Sequence, residues 1–89
     1  MNLSQVIERA KQFLTFRKLA YTRLFDRSNQ DAVMVLEDLA KFCRAHESTF
    51  HAEERVAGRL DGRREVWLRI QQHLQLSDET LWKIYHKGE

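Results

Sequence analysis

The sequence predicts an all-α fold, a small single-domain helical bundle with three main helices plus a short C-terminal helix. Three observations carry that expectation. The 89 residues contain no proline and only three glycines, Gly58, Gly62 and Gly88, whereas all-β chains spend Gly and Pro on their many turns. Apolar residues recur at three- and four-residue steps, the period of a helix with one buried face. Short polar stretches with helix-start character separate those runs. Hydrophobic residues make up 43% and charged residues 31% of the chain, a globular composition that fits one domain over residues 1–89. So short a chain buries a modest share of its surface, and its stability is expected to be marginal or helped by a partner. The bundle is expected to be compact, with helices joined by short loops packing antiparallel.

The first helix is expected over Leu3 to Phe25. Leu3, Ile7, Ala10, Leu14, Tyr21 and Leu24 form a core stripe, which Val6, Phe13, Ala20 and Phe25 widen. Ser4 is the expected cap. Asp26 to Asn29 break the pattern, and a second helix follows from Asn29 to Arg44, with Ser28 as N-cap and Asp31 near its positive end. Its stripe is Ala32, Leu36, Leu39 and Cys43. His46 to Ala52 has no period and is a loop, with Phe50 as an anchor into the core. A third helical pattern starts near Glu53 or Glu54 and reaches Leu74, with Val56, Leu60, Trp67, Ile70 and Leu74 on one face. Gly58 and Gly62 lie inside it, and each costs about 1 kcal/mol against alanine. Either the helix breaks near Gly62 or the two glycines form a smooth face for close packing; a break or bend is preferred. Ser77, Asp78 and Glu79 start a last short helix carrying Leu81, Trp82, Ile84 and Tyr85, which ends at Lys87 and Gly88.

Several classes are excluded or disfavoured. The net charge of +2 falls far short of a dedicated nucleic-acid binder. A single cysteine, Cys43, forms no internal disulfide and suits a reducing cytosol. No apolar run approaches the roughly 18 residues of a membrane span, and Glu8 and Arg9 interrupt the start of the chain, unlike a signal peptide. Charge is uneven: residues 1–28 hold six basic and two acidic side chains, a net +4, while residues 29–47 hold two basic and four acidic, a net −2.

Four groups of residues are candidates for chemistry or binding. Cys43, His46 and His51, with Glu47 or Glu53, have zinc-ligand types but no standard spacing, so a structural reading is preferred and no metal or other cofactor is expected. Arg59, Arg63, Arg64 and Arg69 could contact an anion. Arg63 falls within the apolar arc and needs a carboxylate or carbonyl partner, for which Glu37 or Asp38 could serve; structural ion pairing is the favoured reading. On the first helix Arg9, Phe16, Leu19 and Arg23, with Gln5 and Gln12, lie opposite the core stripe. Two apolar side chains framed by arginines look like a protein-contact patch. Trp67 and Trp82 are expected in the core, and His73 and His86 in solvent. No nucleophile–base arrangement, phosphate loop or paired acidic motif has catalytic spacing, so no enzyme is expected.

One ordered set of strings is more specific than any of these. Val35-Leu36-Glu37-Asp38-Leu39-Ala40-Lys41-Phe42-Cys43 is followed by Ser48-Thr49-Phe50 and then Asp61-Gly62-Arg63-Arg64-Glu65-Val66-Trp67. With the closing Leu-x-Leu-Ser and Leu-Trp-x-x-Tyr, the set resembles a family of small tailed-bacteriophage and prophage proteins typified by a Bordetella phage protein. The likeness covers about residues 21–85, and Ser28 to Asp31 replace a turn that often contains glycine. The resemblance implies a non-enzymatic phage protein acting through protein–protein binding, as a small virion component or assembly accessory, with Arg63 and Arg64 as distinctive positions. Its partner would be a phage structural protein, with self-association as a further option, and its location the host bacterial cytoplasm or the virion. A phage-encoded inhibitor of a host protein is the alternative; direct nucleic-acid binding through the first helix and the arginine face is a weaker third.

Overall fold

Local capping decides where each helix begins. In the computed structural model, which describes residues 2–86, α1 spans Leu3–Leu24. Its cap is Asn2 rather than Ser4: the Asn2 Oδ1 accepts from the Gln5 backbone N–H at 2.8 Å, and the Gln5 Oε1 accepts from the Asn2 N–H at 3.2 Å. This reciprocal box satisfies two orphan donors of the first turn. After Phe25 the chain turns at Asp26, whose Oδ1 accepts from the Ser28 N–H at 2.9 Å. Hydrogen bonds from the Ser28 backbone and hydroxyl hold that carboxyl below its usual range.

Helix α2 spans Gln30–Phe42. Asn29 caps it, in place of the expected Ser28, by accepting from the Asp31 N–H at 2.9 Å; Ser28 is already engaged in the Asp26 turn. Its C-terminus closes with Ala45 N–H bonded to Ala40 C=O (2.9 Å) and Arg44 N–H to Lys41 C=O (3.2 Å). That pair is a Schellman motif. Arg44 occupies its left-handed position at φ 54°, where glycine is the usual residue.

Helix α3 spans Glu54–Gln75 without interruption, so the expected break near Gly62 does not occur. Close packing does not explain the glycines either: both are exposed, and a Cβ built at either would meet nothing within 4 Å. The buried Leu60 and Ile70 hold the helix on its neighbours across the weak stretch. Helix α4 spans Asp78–His86, with Ser77 Oγ accepting from the Thr80 N–H at 3.2 Å as an N-cap. The expected stop at Lys87 and Gly88 lies outside the described residues.

The helices form an open plate. α3 packs against both α1 and α2, α4 packs against α1, and α1 and α2 meet mainly through α3. Leu14, Ala32, Leu36, Cys43, Leu60, Ile70 and Leu81 are the buried apolar side chains. Trp67 and Trp82 are half-buried at its margin. The Cα extents are 50 × 35 × 16 Å, and 16 Å is little more than two packed helices. The radius of gyration is 16.0 Å, against about 12 Å for a compact domain of this length. The expectation of compactness is therefore corrected. With four helices and a two-helix depth, most side chains have no third layer to bury them.

That geometry also corrects several core assignments. Leu3, Val6, Phe13 and Leu24 of α1 are exposed, and Phe50 is 82% exposed rather than anchored in the core. His73 moves the other way. It is 1% exposed, the largest fully buried side chain among those described.

Candidate protein-binding surface

Helix α1 carries two stripes. The inner one, Ile7, Ala10, Leu14, Tyr21 and Phe25, is buried or half-buried. The outer one runs Val6, Arg9, Phe13, Phe16, Ala20, Arg23, all exposed. Its steps alternate three and four residues, the spacing of a helix-pairing seam. Phe16 is 65% exposed and Phe13 64%. Leu19 lies at one edge of the seam and Leu24 at the other, both exposed. The structure thus brings Arg9, Phe16, Leu19 and Arg23 to one outward side and adds Val6, Phe13 and Ala20. Those three share the spacing of Phe16, which was legible in the sequence, but the wheel had assigned them to the core. Arg23 Nε donates to the Leu19 carbonyl at 3.3 Å, which fixes its stem along the helix.

The arginines of α3 do different work. Arg63 is half-buried, with its guanidinium 4.2 Å from the centroid of the Phe42 ring. This cation–π contact stands where an ion pair with Glu37 or Asp38 was expected. Arg64 Nη1 donates to the carbonyls of Arg44 (3.3 Å) and Glu47 (3.1 Å). Arg44 in turn reaches the Ser48 carbonyl at 3.3 Å and the Glu47 carboxylate at 3.6 Å. The Arg63–Arg64 pair therefore fastens the end of α2 and the segment after it to α3. Arg59 is exposed and does not join them.

His73 links α3 to α1. Its ring stacks on Tyr21 with centroids 4.2 Å apart and planes 16° from parallel. Its Nδ1 lies 2.8 Å from the Arg69 carbonyl and its Nε2 accepts from Arg17 Nε at 3.0 Å. A carbonyl accepts and a guanidinium donates, so the ring is neutral, with the proton on Nδ1. Burial pushes its pKa below the ordinary value, and the nearby Arg17, Arg69 and Lys18 push the same way, while the Arg69 carbonyl opposes them. The signal in the sequence was its position three residues after Ile70, bordering the apolar stripe.

The remaining candidates are dispersed. Cys43 is buried while His46 and His51 are exposed, and His51 Nδ1 accepts from the Glu53 N–H at 3.0 Å. Among the described residues no group of three His, Cys, Asp or Glu side chains gathers around a metal position. No described helix is long and apolar enough to cross a membrane. α4 is tied to α1 by a Thr15–Asp78 hydrogen bond of 3.1 Å and by Lys11, 5.4 Å from the Trp82 ring centroid.

No curated protein and no solved structure matches the chain. A match of another kind covers residues 21–84, which takes in the last turn of α1 and nearly all of the rest. Tyr21, Phe42, Cys43, Arg63, Arg64 and His73 all lie within it, whereas the α1 seam from Val6 to Ala20 precedes it. The matched pattern is that of the Bbp19-like phage proteins, and the chain belongs to that family.

Proposed function

We propose that this phage protein is non-enzymatic and acts by binding other proteins, as a small virion component or assembly accessory in the infected host cell. The observation that carries the reading is the exposed α1 seam, with Phe13, Phe16 and Leu19 framed by Arg9 and Arg23. Contiguous exposed apolar side chains rimmed by polar ones mark interaction surfaces. Aromatic and arginine residues are the types that dominate binding energy at such surfaces. The net charge of the chain, +2, is small for a protein that tracks a nucleic-acid backbone.

A tagged pull-down from infected and uninfected host cells tests it, with bound proteins identified by mass spectrometry. Capture of capsid, portal or tail proteins only after infection supports the reading. The Phe16→Glu, Leu19→Glu variant should lose that capture. Capture of one host protein before infection, with the chain absent from particles, would overturn it in favour of an inhibitor of that protein.

A further inference from the structure

The surface area of the chain asks for a partner of defined size. The solvent-accessible area is 7082 Å², about 1,600 Å² more than a monomeric protein of this mass normally exposes. One side of a standard interface needs roughly 800 Å². The excess equals two such patches, and α1 and α2 each present an exposed apolar face. The first is the α1 seam, on a helix with five basic and one acidic side chains. The second is the outer face of α2, where Asp31, Met34, Val35, Asp38 and Phe42 are all exposed. Asp31, Met34, Asp38 and Phe42 again step by three and four residues, with Val35 beside Met34. The helix bears three acidic side chains and one basic.

The two faces match each other in form and oppose each other in charge. Within one chain they do not meet, because α1 and α2 are held mainly through α3. Pairing α1 with α1 of a second copy would set Arg9 and Arg23 against their own kind, which is unfavourable. Pairing α1 with a second copy's α2 instead sets the basic seam against an acidic face, with one arginine on one aspartate in a given register, because Arg9 and Arg23 lie about 21 Å apart along α1 and Asp31 and Asp38 about 10 Å apart along α2. A twofold arrangement that forms this contact twice would leave neither patch free.

From these observations we infer that the chain forms a symmetric homodimer in which the apolar, basic face of α1 docks on the apolar, acidic face of the partner's α2. The inference deepens the protein-binding reading above and rests on the same α1 surface. The exposed Phe13, Phe16, Met34 and Val35 side chains are the anchors, and the opposite charges of the two helices favour this pairing over α1 with α1.

Sedimentation equilibrium on the purified full chain, with no other protein present, tests it. The expected particle has twice the 10.7 kDa chain mass. Phe16→Glu should return it to a monomer with unchanged helical circular dichroism, since Phe16 is exposed. Arg9→Glu with Arg23→Glu in one chain, and Asp31→Arg with Asp38→Arg in another, should each give monomers. Mixing the two should restore a dimer containing one of each. A wild-type monomer at all concentrations overturns the inference, and so does a dimer indifferent to Asp31→Arg with Asp38→Arg. Either failure is distinct from failure of the protein-binding reading. A monomer that captures phage structural proteins keeps that reading, and a dimer that captures nothing loses it.

Discussion

At the scale of single residues, His73 is where charge and burial meet. Its neutral ring accepts from Arg17 and donates to the Arg69 carbonyl, and protonation would set an imidazolium against the Arg17 guanidinium in a dry site. Its folded pKa lies below the ordinary imidazole value of 6.5, so the unfolded chain takes up the proton first. The stability linked to His73 is therefore complete above about pH 7.5. It is lost as pH falls through 6.5 toward the lower folded value. Denaturation at pH 8.0 and pH 5.5 should show this decline. His73→Phe keeps a ring on Tyr21 but leaves Arg17 without its acceptor. It should cost about 1–3 kcal/mol at pH 8.0 and flatten the pH dependence. A slope unchanged in the variant would refute the assignment. Arg63 and Arg64 belong to the same scale. One covers the Phe42 ring and the other ties the Arg44 and Glu47 carbonyls, so their adjacency serves two fastenings.

At the scale of elements, α3 shows packing overruling propensity. Gly58 and Gly62 each weaken a helix, yet α3 runs unbroken from Glu54 to Gln75 because Leu60 and Ile70 are pinned on either side of Gly62. With no atom within 4 Å of an added Cβ at either position, alanine should fit freely. Gly58→Ala with Gly62→Ala should then stabilise the protein by about 1–2 kcal/mol in chemical denaturation. A destabilisation would show that one of these positions approaches another surface in an assembly. The number and order of helices were legible because three-to-four spacing and start signals are local properties. The caps were legible only in kind: Asn2 and Asn29 took the roles expected of Ser4 and Ser28. Such choices turn on one backbone angle, which composition does not record. Val6, Phe13 and Ala20 were misassigned for a different reason. A helical wheel finds apolar arcs but not how many neighbours there are to cover them, and α1 has enough apolar residues for two sides.

At the scale of the whole molecule, shape decides more than composition. The plate is 16 Å deep, so its core is thin and its two broad faces stay wet. Cutting exposed apolar area is the largest stabilising change open to it, at roughly 25 cal/mol for each Å² removed from water. Association couples that gain to folding by mass action. The melting temperature should consequently rise with protein concentration. A tenfold increase favours a folded dimer by about 1.4 kcal/mol over two unfolded chains, which for a domain of this size is a few degrees. Thermal scans followed by circular dichroism over a hundredfold range of concentration measure it directly. The wild-type chain should shift upward at each step. Phe16→Glu should melt lower and at one temperature throughout, because a monomer unfolds without a concentration term. If both chains melt at temperatures independent of concentration, the exposed faces add nothing to the stability of the free protein, and the α1 seam is left for a partner of a different kind.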